Sequence, residues 1–337
     1  MNYQVAWYIL IALLLIGYVV LDGFDLGVGI LHLFTKEEDQ RRVQLQAIGP
    51  VWDGNEVWLV TAGGALFAAF PPVYAAAASG AYSALTLLLL MLIGRAAALE
   101  FRGKLDRPAW RRLWDTIFGL SSLGAAVMLG AVFGNILRGL PLDGAGGFQG
   151  RFWDLLTPFP LLVGAAGAAF CALHGAAYLK IKTAGAIRGR ITAWIPGLWR
   201  LWAVSAALAG AGAIVAAPHL FEGWAWSGLV GAAAAGAAFI AVPFLNLGRR
   251  DGAVFLATSV MIIGVLGFLA RAMFPVMLYS TLGPDRHLTA FNASSSELTL
   301  RVMFIIAAVG VPVVLAYTAW VYWSFRGKVL PHEADHY

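Results

Sequence analysis

The sequence predicts an all-α integral membrane protein with nine transmembrane helices. Three observations carry that prediction. Of 337 residues, 60% are hydrophobic and 12% are charged, about half the charge of a soluble domain. Mean hydropathy is +0.77. The apolar residues fall in runs of about 20, the length a helix needs to cross a bilayer, and Lys and Arg collect in alternate connections between those runs.

The candidate spans are roughly 5–33, 51–71, 74–99, 114–137, 158–179, 199–217, 225–246, 253–278 and 300–324. The first residues carry neither a basic n-region nor a small-residue cleavage site, so the first run reads as a true span and not a removable signal. Pro71-Pro72 separates the second and third spans, which predicts a tight antiparallel pair. The seventh, rich in Gly and Ala, is weakly hydrophobic per residue. Ser296 fits an N-cap for the ninth, with Glu297 and Thr299 in its first turn. The chain reads as one membrane domain over 1–337. A first bundle covers about 1–137, the remaining helices about 158–325, and a short tail 326–337.

Charge tests the count. Most of the 23 Lys and Arg lie in connections 34–50, 100–113, 180–198 and 247–252 and in the tail. They include Lys36, Arg41 and Arg42; Arg102, Lys104 and Arg107; Lys180 and Arg188; Arg249 and Arg250; Arg326 and Lys328. Nine spans put all of these on one side. Without the seventh span, Arg249, Arg250 and the tail would change sides. The positive-inside rule then places the N-terminus outside and the C-terminus in the cytoplasm. The net charge of +5 is therefore topological and implies no nucleic-acid partner. A single cysteine, Cys171, excludes an internal disulfide and a cysteine-cluster metal site.

Charge inside an apolar run is costly, so it points to a function or a partner. Asp22 and Asp25 lie in the first run, and Asp53 and Glu56 open the second. In each pair the spacing of three puts both acids on one helix face. The predicted topology brings both pairs to the cytoplasmic end, with Arg95 and Glu100 closing the third span and Asp115 opening the fourth. Gly23 and Gly27, and Gly63, Gly64, Ala68 and Ala69, offer small patches through which the first two helices could approach. Two readings remain open for the acids. One is a proton relay, since burial in an apolar site makes a carboxyl hold its proton more tightly. The other is a structural network in which Arg95 neutralises one acid and Asn55 or backbone groups bond the others. Trp52 and Trp58 bracket the acids, whereas most other Trp fit an interfacial belt.

Metal is not expected. A di-metal carboxylate site needs Glu-x-x-His pairs, and no His lies within four residues of these acids. His174 sits mid-span, three residues after Cys171, with no second mid-span His to complete a two-histidine haem pocket. It reads as structural. Two other functions compete with the relay: a proton-coupled secondary transporter, which would place its site on broken helices near the midplane, and a haem-carrying cytochrome using His174.

Leu21-Asp22-Gly23-Phe24-Asp25-Leu26-Gly27-Val28-Gly29, followed by Trp52-Asp53-Gly54-Asn55-Glu56-Val57-Trp58-Leu59, resembles subunit II of the cytochrome bd quinol oxidases. Phe133-Gly134-Asn135-Ile136-Leu137-Arg138-Gly139-Leu140-Pro141, Met273-Phe274-Pro275 and Ser294-Ser295-Ser296-Glu297-Leu298-Thr299-Leu300 agree with it in order. The resemblance implies nine helices in two four-helix bundles with one peripheral helix. It implies a partner, subunit I, carrying two b-type haems and haem d, with no haem ligand in this chain. A structural quinone and a small single-helix accessory subunit occur in some members. The implied reaction is quinol oxidation with reduction of oxygen to water, protons being drawn from the cytoplasm. Asp53 matches a residue on a proposed proton path, Arg95 lies near it, and Trp58 matches a residue beside a proposed oxygen route. The outer connection from Pro218 to Trp224 is shorter than in some members.

Overall fold

The computed structural model describes residues 2–144, 146–222, 226–248 and 250–329. Arg249, Trp224 and the tail beyond 329, with His332 and His336, lie outside them. Eleven α-helices and one two-stranded antiparallel ribbon, β1 (Val276–Leu278) and β2 (Leu288–Thr289), make up the described chain.

The helices begin where local chemistry satisfies or removes their free N–H groups. Helix α1 (Tyr3–His32) is capped by Asn2, whose side chain accepts from Val5 N at 3.2 Å. Proline occupies the first turn of α4 (Pro71–Gly80), α6 (Pro108–Arg138) and α7 (Pro158–Lys182), where its missing N–H costs nothing. Ser296 caps α11 (Glu297–Ser324) as the sequence predicts, its Oγ accepting from Thr299 N at 3.2 Å.

Among the described residues, eight helices are long and apolar enough to cross a membrane. They are α1, α5 (Tyr82–Phe101), α6, α7, α8 (Gly185–Ala216), α9 (Trp226–Leu247), α10 (Asp251–Met273) and α11. Gly- and Ala-rich α9 is one of them. The second candidate span forms α3 (Trp52–Ala69), 18 residues long, which is not among the eight. The chain is thus a multi-pass membrane protein. Two boundaries differ from expectation. The third candidate span breaks at Ala81 into α4 and α5. Helix α8 starts well before residue 199 and takes up most of a connection read as a loop. Amphipathic α2 (Glu38–Ile48) lies between α1 and α3.

Helix α1 is the axis of the fold. From Asp22 to His32 every residue is buried. Gly27 lets this segment meet α7 backbone to backbone: a Cβ on Gly27 would fall 1.8 Å from the Cys171 carbonyl oxygen, and one on Gly175 would fall 2.5 Å from the Gly27 carbonyl carbon. The glycine expectation therefore needs correcting. The small patch on α1 docks α7, and Gly63 and Gly64 of α3 face open space, with nothing within 4 Å. Contact between α1 and α3 uses a different glycine, Gly17, where a Cβ would sit 2.4 Å from the Trp58 indole.

Candidate functional site

Three helices converge on one guanidinium. Arg95, from α5, is fully buried. Its Nη2 donates to Asp22 Oδ1 at 2.7 Å and its Nη1 to Glu56 Oε1 at 2.9 Å. Asp25 Oδ2 stands 4.0 Å from Nη2. Asp22 and Asp25 project from α1 one turn apart, and Glu56 comes from the first turns of α3. Asn55, also buried, donates through Nδ2 to Asp25 Oδ2 at 2.7 Å and accepts at Oδ1 from the Tyr322 hydroxyl of α11 at 2.8 Å. Asp22 Oδ2, Asp25 Oδ1 and Arg95 Nε are buried without a hydrogen-bond partner among the described residues.

The six predicted carboxyls thus do not form one group. Asp22, Asp25 and Glu56 share Arg95, and Asn55 bonds Asp25 as the network reading expects. Asp53 and Glu100 lie on the surface of the isolated chain. Asp53 cannot join Arg95, because Asn55 and Glu56 are the α3 residues turned inward. Asp115 belongs to a second buried cluster at the same end. Its Oδ1 meets His32 Nε2 and Arg102 Nε, each at 2.6 Å, and its Oδ2 accepts from Arg41 Nη1 at 2.8 Å. Arg102 also reaches Glu38 at 2.9 Å, and His32 Nδ1 lies 3.1 Å from Gln44 Oε1. No sequence motif marks this cluster. Its only signal was an acid at a helix start beside basic connections. Tyr322 gave no signal at all, being one aromatic among many near a helix end.

The tryptophans separate similarly. Trp58 packs over Gly17, and Trp52 lies partly buried against the core that includes α1 and α7.

His174 does not offer itself to a haem iron. Its Nε2 meets the Val20 carbonyl at 2.9 Å and its Nδ1 meets Thr258 Oγ1 at 2.7 Å. Its ring is stacked between Phe170 and Phe255, at 5.3 and 4.6 Å. Among the described residues no group of His, Cys, Asp or Glu has the arrangement of a metal site. Both ring nitrogens of His174 are thus taken up within the fold.

Outside the membrane-spanning segments, Glu37 is tied to the Arg190 guanidinium, with Nη2 donating at 2.9 Å. That bond holds the Glu37 carboxyl down to about 2. On the opposite end, His219 stacks on Tyr279 at 3.8 Å and donates from Nε2 to the Leu137 carbonyl at 2.9 Å. His287 packs edge-on against the Tyr279 ring at 4.8 Å. Burial pushes both imidazoles below their ordinary value.

The family described as cytochrome bd terminal oxidase subunit II matches residues 3–325. The chain belongs to that family. Cytochrome bd-I ubiquinol oxidase subunit 2 of Escherichia coli K12 is 37% identical, the match covering 98% of this chain and 96% of the relative. Cytochrome bd ubiquinol oxidase subunit 2 of Bacillus subtilis is 33% identical over 97% of each chain. The bd oxidase structure from Geobacillus thermodenitrificans superposes with a TM-score of 0.77, covering 96% of this chain and 99% of that one. At 18% identity it speaks for the fold. The chain is accordingly subunit II of a bd-type quinol oxidase, an oxidoreductase complex that contains haem and requires a partner subunit. This sets aside the transporter reading.

Proposed function

We propose that within the oxidase this chain carries protons from the cytoplasmic side toward a haem-bearing subunit I, and braces that subunit's assembly. The supporting observation is the buried Arg95 facing three carboxyls, with Asp22 and Glu56 bonded to it and Asp25 at 4.0 Å. One guanidinium balances one carboxylate. The other two acids are places where a proton can reside, and burial of unbalanced charge is too costly for all three to stand ionised together. Glu56 is the member that reaches the surface, with 23% of its side chain accessible. Asp53 lies three residues before it, on the outside of α3. The order Asp25, Asp22, Glu56, Asp53 leads from the buried cluster to a surface that subunit I covers. Trp58 and Trp52, beside the same surface, border the oxygen route in this reading.

The remaining features belong to the same proposal. We read nine spans, α3 being the ninth. At 18 residues it is about 27 Å long, close to the hydrocarbon thickness of a bilayer. The spans form two four-helix bundles with α11 peripheral, in keeping with the exposure of α11 along most of its length. The N-terminus faces outward and the C-terminus the cytoplasm of a bacterial inner membrane. Subunit I holds two b-type haems and haem d. A structural quinone, lipid and a small accessory subunit complete the complex.

Asp53→Asn in the whole complex tests the relay. Turnover should fall about tenfold or more, as when a proton-transfer group is removed, with haem d retained. Full turnover with normal haem content would overturn the relay, and loss of haem d would assign Asp53 to assembly instead.

A further inference from the structure

We propose that Tyr322 is a positioning residue: its hydroxyl fixes how Asn55 meets Asp25, and so leaves Oδ1 of Asp25 as the oxygen that takes a proton. The inference deepens the relay reading and rests on it for its turnover readout.

Asn55 sits between two partners on different helices. Its Oδ1 accepts from Tyr322 OH of α11 at 2.8 Å, and its Nδ2 donates to Asp25 Oδ2 of α1 at 2.7 Å. A second, longer donation reaches the Leu21 carbonyl at 3.4 Å. An amide has two faces of opposite character, a carbonyl that only accepts and an NH2 that only donates. Which one meets Asp25 depends on what holds the other end. A phenolic hydroxyl donating to Oδ1 aims the NH2 at Asp25. Oδ2 of Asp25 is then occupied by an N–H, and its other oxygen, Oδ1, is buried and free of hydrogen bonds among the described residues. Without the hydroxyl only the longer donation to the Leu21 carbonyl at 3.4 Å favours this orientation, and the amide gains a second one, turned by half a revolution. Its carbonyl then faces Asp25 Oδ2. Two acceptors in contact are tolerable only when the acid carries a proton on that oxygen.

The surroundings keep Asn55 in this role. Asp22 and Glu56 are engaged with Arg95, whose Nη2 stays 4.0 Å from Asp25 Oδ2. Tyr178 of α7 donates its hydroxyl to the Ala47 carbonyl at 2.9 Å, and Tyr18, one turn before Asp22 on α1, keeps a buried hydroxyl with no hydrogen-bond partner among the described residues. Asn55 is therefore the one side chain within hydrogen-bond distance of Asp25 Oδ2 among the described residues, and Tyr322 is its only side-chain donor there. Arginine 95 sets the charge of the cluster. Tyr322 sets the direction of one bond within it.

Tyr322→Phe tests this in the complete oxidase, since it keeps the ring that packs α11 and removes one oxygen. The readouts are haem content, turnover against pH, and the infrared C=O band of protonated Asp25, identified by its loss in Asp25→Asn. Haem content should stay at the wild-type level. The ratio of protonated to ionised Asp25 should rise about tenfold, the scale of one hydrogen bond to a charged group, so the band persists to about one pH unit higher. The turnover profile should move with it. Asn55→Leu should remove the effect: adding Tyr322→Phe to Asn55→Leu should change nothing further. Band and profile superimposable on the wild type, or effects of the two substitutions that simply add, would overturn the positioning role. Asp25→Asn separates the two claims. If it leaves turnover intact, the relay through Asp25 fails while the band still decides the orientation. If it abolishes turnover and Tyr322→Phe changes neither readout, the relay stands and the positioning role fails.

Discussion

Replacing Arg95 with Gln gives the sharpest test of the cluster. The side chain is fully buried, and its guanidinium makes two charge-assisted hydrogen bonds, at 2.7 Å to Asp22 and 2.9 Å to Glu56. Glutamine reaches neither acid with a charge. Three carboxyls then remain in a buried site with no cation. Breaking a buried pair by removing one partner costs about 3–5 kcal/mol. That is a large share of the roughly 5–15 kcal/mol that holds a typical domain together. At 1.4 kcal/mol per tenfold, the ratio of assembled to unassembled chain should fall about 100- to 4000-fold. The assay is the amount of intact complex recovered from membranes, read by its haem content and by the thermal midpoint of the purified material. Neutralising the stranded acid should restore part of the loss, so Asp22→Asn/Arg95→Gln should assemble better than Arg95→Gln alone. An Arg95→Gln complex with wild-type yield and thermal midpoint would refute the assignment of Arg95 as the cation of this site. So would a double variant worse than the single one, because the acids would then not be what the missing charge left exposed.

Two further outcomes concern the helix packing and the end of the molecule opposite Arg95. Gly175→Ala should destabilise the complex by at least about 1–3 kcal/mol, because its Cβ would fall 2.5 Å from the Gly27 backbone. Gly210→Ala in α8, with nothing within 4 Å, should be neutral or slightly stabilising; equal thermal midpoints for the two variants would contradict the α1–α7 contact. Half-buried His219 has its folded-state proton affinity below the unfolded value of 6.5, so the unfolded chain binds more protons and stability falls as pH drops below about 6.5. Protease or hydrogen-exchange protection of 276–296 should therefore weaken between pH 7 and pH 5, and His219→Phe, which keeps a ring against Tyr279, should flatten that dependence.

The sequence by itself determined most of the long apolar helices and where charge collects along the chain, but not α2, the break at Ala81 or the start of α8. Apolar length located the spans, because lipid leaves the backbone no partner but its own helix. Ser296 announced the start of α11, because capping is a local bond. The family was legible as well, in the two linked acid motifs. Rotation of each helix about its axis was not. Helices such as α3 and α7 are apolar on nearly every side, so periodicity carries no sign of which face turns inward. Only the tertiary structure decided that Glu56 faces Arg95 and Asn55 faces Asp25 while Asp53 faces outward. It also decided that Gly27 meets Gly175, with Gly63 and Gly64 left open, since close approach depends on two backbones from distant parts of the chain. Tyr322 lies 267 residues from its partner Asn55, and no local pattern could join them. Spacing of three told which acids share a helix face. Which acids share a cation was settled by how three separately folded helices pack, a contest of steric fit and charge balance that no single stretch of sequence contains.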